Sequence, residues 1–73
     1  MIEVLLVFSI NGAPEEISQT VFVSYEQCEN FVNTLVGQDI VNSDYGFNFM
    51  TSDRQHFSGQ CIEMKEWFLK NSS

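Results

Sequence analysis

The sequence predicts an α+β fold of order ββαββ: a four-stranded, mostly antiparallel sheet with one helix packed on one face. Three observations carry this. Two β-branched-rich segments joined by a turn open the chain, a capped amphipathic stretch follows Ser24, and two aromatic-rich segments flank a polar loop near the end. The 73 residues form one small domain, residues 1–73, because a chain this short supports a single core.

Residues 2–10 are rich in Ile, Val, Leu and Phe and too short to span a membrane, which marks a strand. Alternation puts Ile2, Val4, Leu6, Phe8 and Ile10 on one face and Glu3, Leu5, Val7 and Ser9 on the other. Apolar residues on both faces are the mark of an interior strand covered on two sides. Asn11, Gly12 and Pro14 supply turn chemistry, and residues 17–23 alternate again, so the two segments form a β-hairpin. In that second strand Ile17, Val21 and Val23 share a face, with Phe22 opposite.

Ser24 is a helix N-cap with Gln27 placed to complete a capping box. Cys28, Phe31, Val32, Leu35 and Val36 then form one apolar stripe, and Glu26 and Glu29 sit where the helix dipole favours negative charge. Gly37 is a stop signal, although Ile40 and Val41 allow another turn. Residues 42–44 connect to a third strand at 45–50, with Phe47 and Phe49 on one side and Met50 on the other. A polar loop at 51–56 leads to a fourth strand at 57–64, in which Gly59 marks a bulge or a close approach. Residues 65–70 either extend that strand or make a helical turn, and Asn71, Ser72 and Ser73 are expected to fray.

Three Lys plus Arg stand against ten Asp plus Glu, a formal net charge of -7. That balance excludes nucleic-acid and anionic-membrane partners, both of which rest on clusters of Lys and Arg. Tyr45-Gly46-Phe47-Asn48-Phe49 echoes the aromatic strand on which RNA-recognition domains stack bases, but Tyr45 stands where a basic residue belongs. The two phenylalanines therefore read as core. The acids are too scattered to imitate the phosphate rows of DNA and read as a solubilising surface. Residues 1–10 carry Glu3 and neither Lys nor Arg, so they read as mature structure rather than a secretion signal. Cytoplasmic localisation follows, and the Asn71-Ser72-Ser73 match to a glycosylation site loses its meaning there.

Cys28 and Cys61 lie on the helix stripe and the last strand and are placed to meet in the core. In a reducing cytoplasm they are expected to be free, buried thiols. The alternative is a structural disulfide closing about 34 residues, worth roughly 4 kcal/mol through chain entropy. With His56 they make only three zinc ligands and lack paired spacings, so no metal site and no cofactor is expected. Asp53-Arg54-Gln55-His56 gathers an acid, a cation and an imidazole but no fixed nucleophile. Asp39 and Asp44 lack the spacing of a calcium loop.

One helix shields one face of four strands. The opposite face keeps Leu5, Val7, Phe22, Ile62 and Met64, each worth roughly 1.5–3 kcal/mol when buried. These five residues are the expected self-association face of a homodimer or higher oligomer. The competing expectation is that Trp67, Phe68 and Leu69 fold over it.

Ser24-Tyr25-Glu26-Gln27-Cys28-Glu29-Asn30-Phe31, followed about thirty residues later by Gly59-Gln60-Cys61-Ile62, resembles short proteins of marine bacteriophages, especially those infecting cyanobacteria. The resemblance implies expression in an infected bacterial cytoplasm and a host-directed binding role, with no catalytic residue attached. The expected function is therefore a small, acidic, non-enzymatic accessory protein that self-associates and binds another protein. The alternative is a small-molecule binder or small enzyme with a pocket at the oligomer interface, near His56 and Trp67.

Overall fold

The computed structural model describes residues 2–71. Strand β1 (Val4–Ile10) is followed by β2 (Glu16–Phe22), helix α1 (Tyr25–Val36), β3 (Gly46–Met50), β4 (His56–Glu63) and helix α2 (Met64–Asn71). The four strands make one sheet in the order β2-β1-β4-β3. All three pairings are antiparallel. The α+β class and the four strands of the sequence reading are thus those of the structure.

The centre of the sheet goes to the strand with two apolar faces. Val4, Leu5, Leu6 and Val7 are all buried in β1, which pairs with β2 on one side and β4 on the other. The β1–β2 turn runs through Asn11 and Gly12, both at positive φ. Asn11 is also tied to β4: its backbone N–H donates to the His56 carbonyl at 2.7 Å, and its side-chain oxygen accepts the His56 N–H at 2.8 Å. Within β2, Ser18, Gln19 and Thr20 lie against the single residue Leu6, so the ladder is irregular there.

The register corrects one side chain of the expected association face. Phe22 pairs with Val4 and so lies on the α1 side of the sheet, among Val4, Leu6, Cys28, Val32, Phe47 and Cys61. Ile17 and Val21, opposite Val7 and Leu5, take the other side. A period of two makes every such assignment depend on how the hairpin turn sets the pairing, and composition does not reveal that.

Gly59 is a close approach rather than a bulge, because the β1–β4 register is unbroken through its pairing with Phe8. A Cβ on it would collide with the Val7 carbonyl oxygen and meet the Phe47 ring at 3.0 Å. The missing side chain lets the Phe47 ring lie across the sheet, 4.9 Å from the Phe57 ring.

Helix α1 forms as its signals direct. Ser24 Oγ accepts the Gln27 N–H at 3.1 Å, and Gln27 Oε1 accepts the Val23 N–H at 3.0 Å, a complete capping box. Gly37 ends the helix with φ 87°, its N–H donating to the Asn33 carbonyl at 2.8 Å. Ile40 and Val41 do not extend it. Asn33 Oδ1 accepts both of their N–H groups, at 2.9 and 3.3 Å, and turns them back against the core.

The tail resolves into a second helix. The Met64 N–H donates to the Glu3 carbonyl at 2.8 Å, continuing the ladder by one bond before the chain coils into α2. Asn71 is the last helical residue and donates from its side chain to the Trp67 carbonyl at 2.8 Å, so the fraying expected at Asn71 is not found. Ser72 and Ser73, which share that expectation, lie outside the described residues.

Candidate functional site

The face opposite α1 is covered from within the chain. Leu5, Val7 and Ile62 are 4, 0 and 7% exposed and pack beneath Met64 and Trp67 of α2. These three, with Phe22 on the other side, therefore do not form a self-association face. One tryptophan laid across three aliphatic side chains does what a partner subunit was expected to do. Phe68 and Leu69, the rest of the covering segment considered above, remain largely exposed.

Cys28 and Cys61 are joined by a disulfide, which overturns the expectation of free thiols. Cys28 faces the sheet from α1, Cys61 lies opposite Leu6 in β4, and both are buried in the α1-side core. The bridge fastens the first half of α1 to the last third of β4. At the same end Tyr25 stacks on Tyr45, ring centroids 4.6 Å apart. The Tyr25 phenol is pushed above its ordinary pKa of 10.0, first by burial and then by the Glu63 and Glu66 carboxylates, against a backbone hydrogen bond from Glu63.

Fastening one end of α1 leaves the other end of the sheet open. Twelve helical residues span about 18 Å, against roughly 26 Å for the eight residues of β4. Only Cys28 and Val32 of α1 are buried, while Phe31 and Leu35 are exposed. The rings of Phe8, Phe57 and Phe49 and the side chain of Ile10 line the sheet floor there. Phe57 lies opposite both Ile10 and Phe49, and its ring centroid is 6.0 Å from that of Phe8.

The result is a groove of two hollows that meet at Ile10, Leu35 and Phe57. The first, about 400 Å³, lies toward β2, between Phe8 and Phe31, with Glu16, Ser18 and Gln19 on its rim. The second, about 350 Å³, lies toward β3, between Val36 and Phe49, with Thr51 and Gln55 on its rim. The groove is thus lined by rings and aliphatic side chains with a thin polar edge.

Elsewhere the chemistry-bearing residues are occupied structurally. His56 Nε2 contacts Asn48 Oδ1, Asp53 accepts from the Thr51 hydroxyl, and Thr51 Oγ1 accepts the Gln55 N–H at 2.9 Å. The acid and the imidazole of this loop thus take separate partners. Trp67 packs on Leu5, Val7 and Ile62, so the structure does not bring it to His56. Among the described residues, no group of three or more His, Cys, Asp or Glu side chains is placed to hold a metal ion. Among them too, no helix is long and apolar enough to cross a membrane.

Sequence reasoning put Phe31 and Leu35 on the apolar stripe that packs on the sheet and read Phe49 as core. The signal that separates them is the relative length of helix and strands: a helix shorter than the sheet it covers must leave apolar floor uncovered. Comparison with protein-family models, with curated proteins and with solved structures finds no match.

Proposed function

We propose that this chain is a non-enzymatic accessory protein that binds another protein through the groove between the second half of α1 and the ends of β1 and β4. The observation that carries this is the exposure of apolar residues at one continuous place. Leu35 is 64% exposed and stands between two hollows floored by Ile10 and Phe57. A marginal domain of this size, burying only about 60% of its unfolded surface, tolerates such a patch poorly unless something occupies it.

The test uses Leu35→Gln, which removes the exposed apolar side chain and leaves the net charge unchanged. Immobilised wild-type protein is expected to retain a discrete protein from a bacterial lysate, and the variant to lose it. Identical retention by both would remove the proposal. A bacterial lysate is the place to start because of the phage resemblance of Ser24–Phe31 and Gly59–Ile62.

Self-association is a second reading, now carried by an edge strand rather than an open face. Helix α2 covers β1 and β4 but leaves Ile17 and Val21 of β2 exposed, with Val23 following on the same side. An uncovered apolar edge strand is a template for pairing with a second copy. Such a homodimer would be strengthened by salt, since each chain carries -7, and disrupted by Val21→Lys in sedimentation. The Cys28–Cys61 bridge favours folding in an oxidising compartment over the reducing cytoplasm. Thiol alkylation of freshly isolated protein, read by mass, distinguishes the two.

A further inference from the structure

We infer that the occupant of the groove is an apolar segment of another protein flanked by Lys or Arg, and not a second copy of this chain; this rests on the binding reading above and names its partner chemistry. The argument is one of charge distribution around an apolar floor. Strands β1, β2 and β3 and helix α1 contain no Lys or Arg at all. Glu16 lines the hollow toward β2 with Glu15 preceding it, and Glu26 and Glu29 lie on α1. Lys65 and Lys70 belong to α2, which packs on the other side of the sheet. Arg54, in the turn after β3, has Asp53 as its neighbour. The charged side chain in the lining is thus a carboxylate, Glu16 on the hollow toward β2, while Arg54 stands beside Gln55 at the edge of the other hollow.

Surface charges act over about 8–10 Å at ordinary salt, which is the scale of the groove itself. An incoming chain with Lys or Arg beside its apolar residues gains at Glu15 and Glu16, whereas a second copy brings another -7 to the same place. The two hollows, at about 400 and 350 Å³, are at the small end for ligand pockets and lie on either side of Leu35. That shape suits two bulky apolar side chains of one segment, straddling Leu35. The affinity comes from those side chains; the selection comes from the flanking charges.

A random peptide library displayed and panned against the wild-type protein alone tests this, with each winner then measured against Leu35→Gln. The expected winners carry two large apolar residues with Lys or Arg beside them. Their affinity should fall about tenfold in L35Q, the loss of one apolar anchor. It should fall about two- to fivefold in the double variant Glu15→Gln/Glu16→Gln, as exposed ion pairs do. Raising salt from about 0.05 M to about 0.5 M should weaken binding to wild type and change little in that double variant. Winners with neutral or acidic flanks that still depend on Leu35 would overturn the partner chemistry and leave the docking groove standing. Winners indifferent to L35Q, or none, would remove both. A wild-type dimer in sedimentation that L35Q turns into a monomer would seat a second copy in the groove and overturn the inference.

Discussion

Cys28 and Cys61 show how much a single residue pair can organise. Their bond links a helix to the central strand pair across a separation of 33 residues. Constraining a loop of that length in the unfolded chain is worth about 4 kcal/mol. The pair Cys28→Ala/Cys61→Ala should therefore lose about 4 kcal/mol in urea unfolding, and reduction of the wild type should lose a similar amount. Tyr25 supplies a second prediction at this scale. Its phenol ionises less readily in the folded protein than the 10.0 of a free tyrosine, so the unfolded chain releases that proton first. Its contribution is complete below pH 10.0 and is lost as pH rises through the folded value. Alkaline melting curves should show Tyr25→Phe losing less stability above that pH than the wild type does.

Among the elements, α1 is the one whose limits local chemistry sets by itself. Ser24, Gln27 and Gly37 satisfy the backbone groups at its two ends, and each was recognisable without any partner. Asn33 was not, because its role depends on where the chain goes after the helix. Its side-chain oxygen takes two backbone N–H groups of the returning segment in a half-buried position. Asn33→Ala should cost about 2 kcal/mol, since it strands two donors at once. Amide exchange at Ile40 and Val41 should accelerate in that variant, while exchange early in α1 stays slow. Helix α2 is the opposite case. Residues 64–71 include neither a Ser, Thr or Asp cap nor a full apolar stripe, and their helicity depends on Trp67 finding the sheet.

For the whole molecule the decisive quantity is coverage. Two helices of twelve and eight residues lie on opposite sides of a four-stranded sheet. Helix α2 buries Leu5, Val7 and Ile62 through Met64 and Trp67. Removing that lid should restore the association expected of an open face: Trp67→Ala should lose about 3 kcal/mol and form concentration-dependent oligomers in light scattering. A variant that is destabilised yet strictly monomeric would show that the lid contributes only packing. On the α1 side coverage stops short, and Ile10 and Leu35 meet the edge of the core at Phe57 in a groove.

Local pattern alone determined the α+β class, the hairpin, the start of α1 and the two-sided burial of β1, because turn residues, caps and a period of two or 3.6 act within a few residues. It also brought Cys28 and Cys61 to the core without deciding whether they bond. Only the tertiary structure decided which side Phe22 takes, that the tail covers the face of Leu5, Val7 and Ile62, and where the apolar groove opens. These depend on pairing register and on the length of each helix against the strands beneath it, which are relations between distant segments that no single stretch of chain contains.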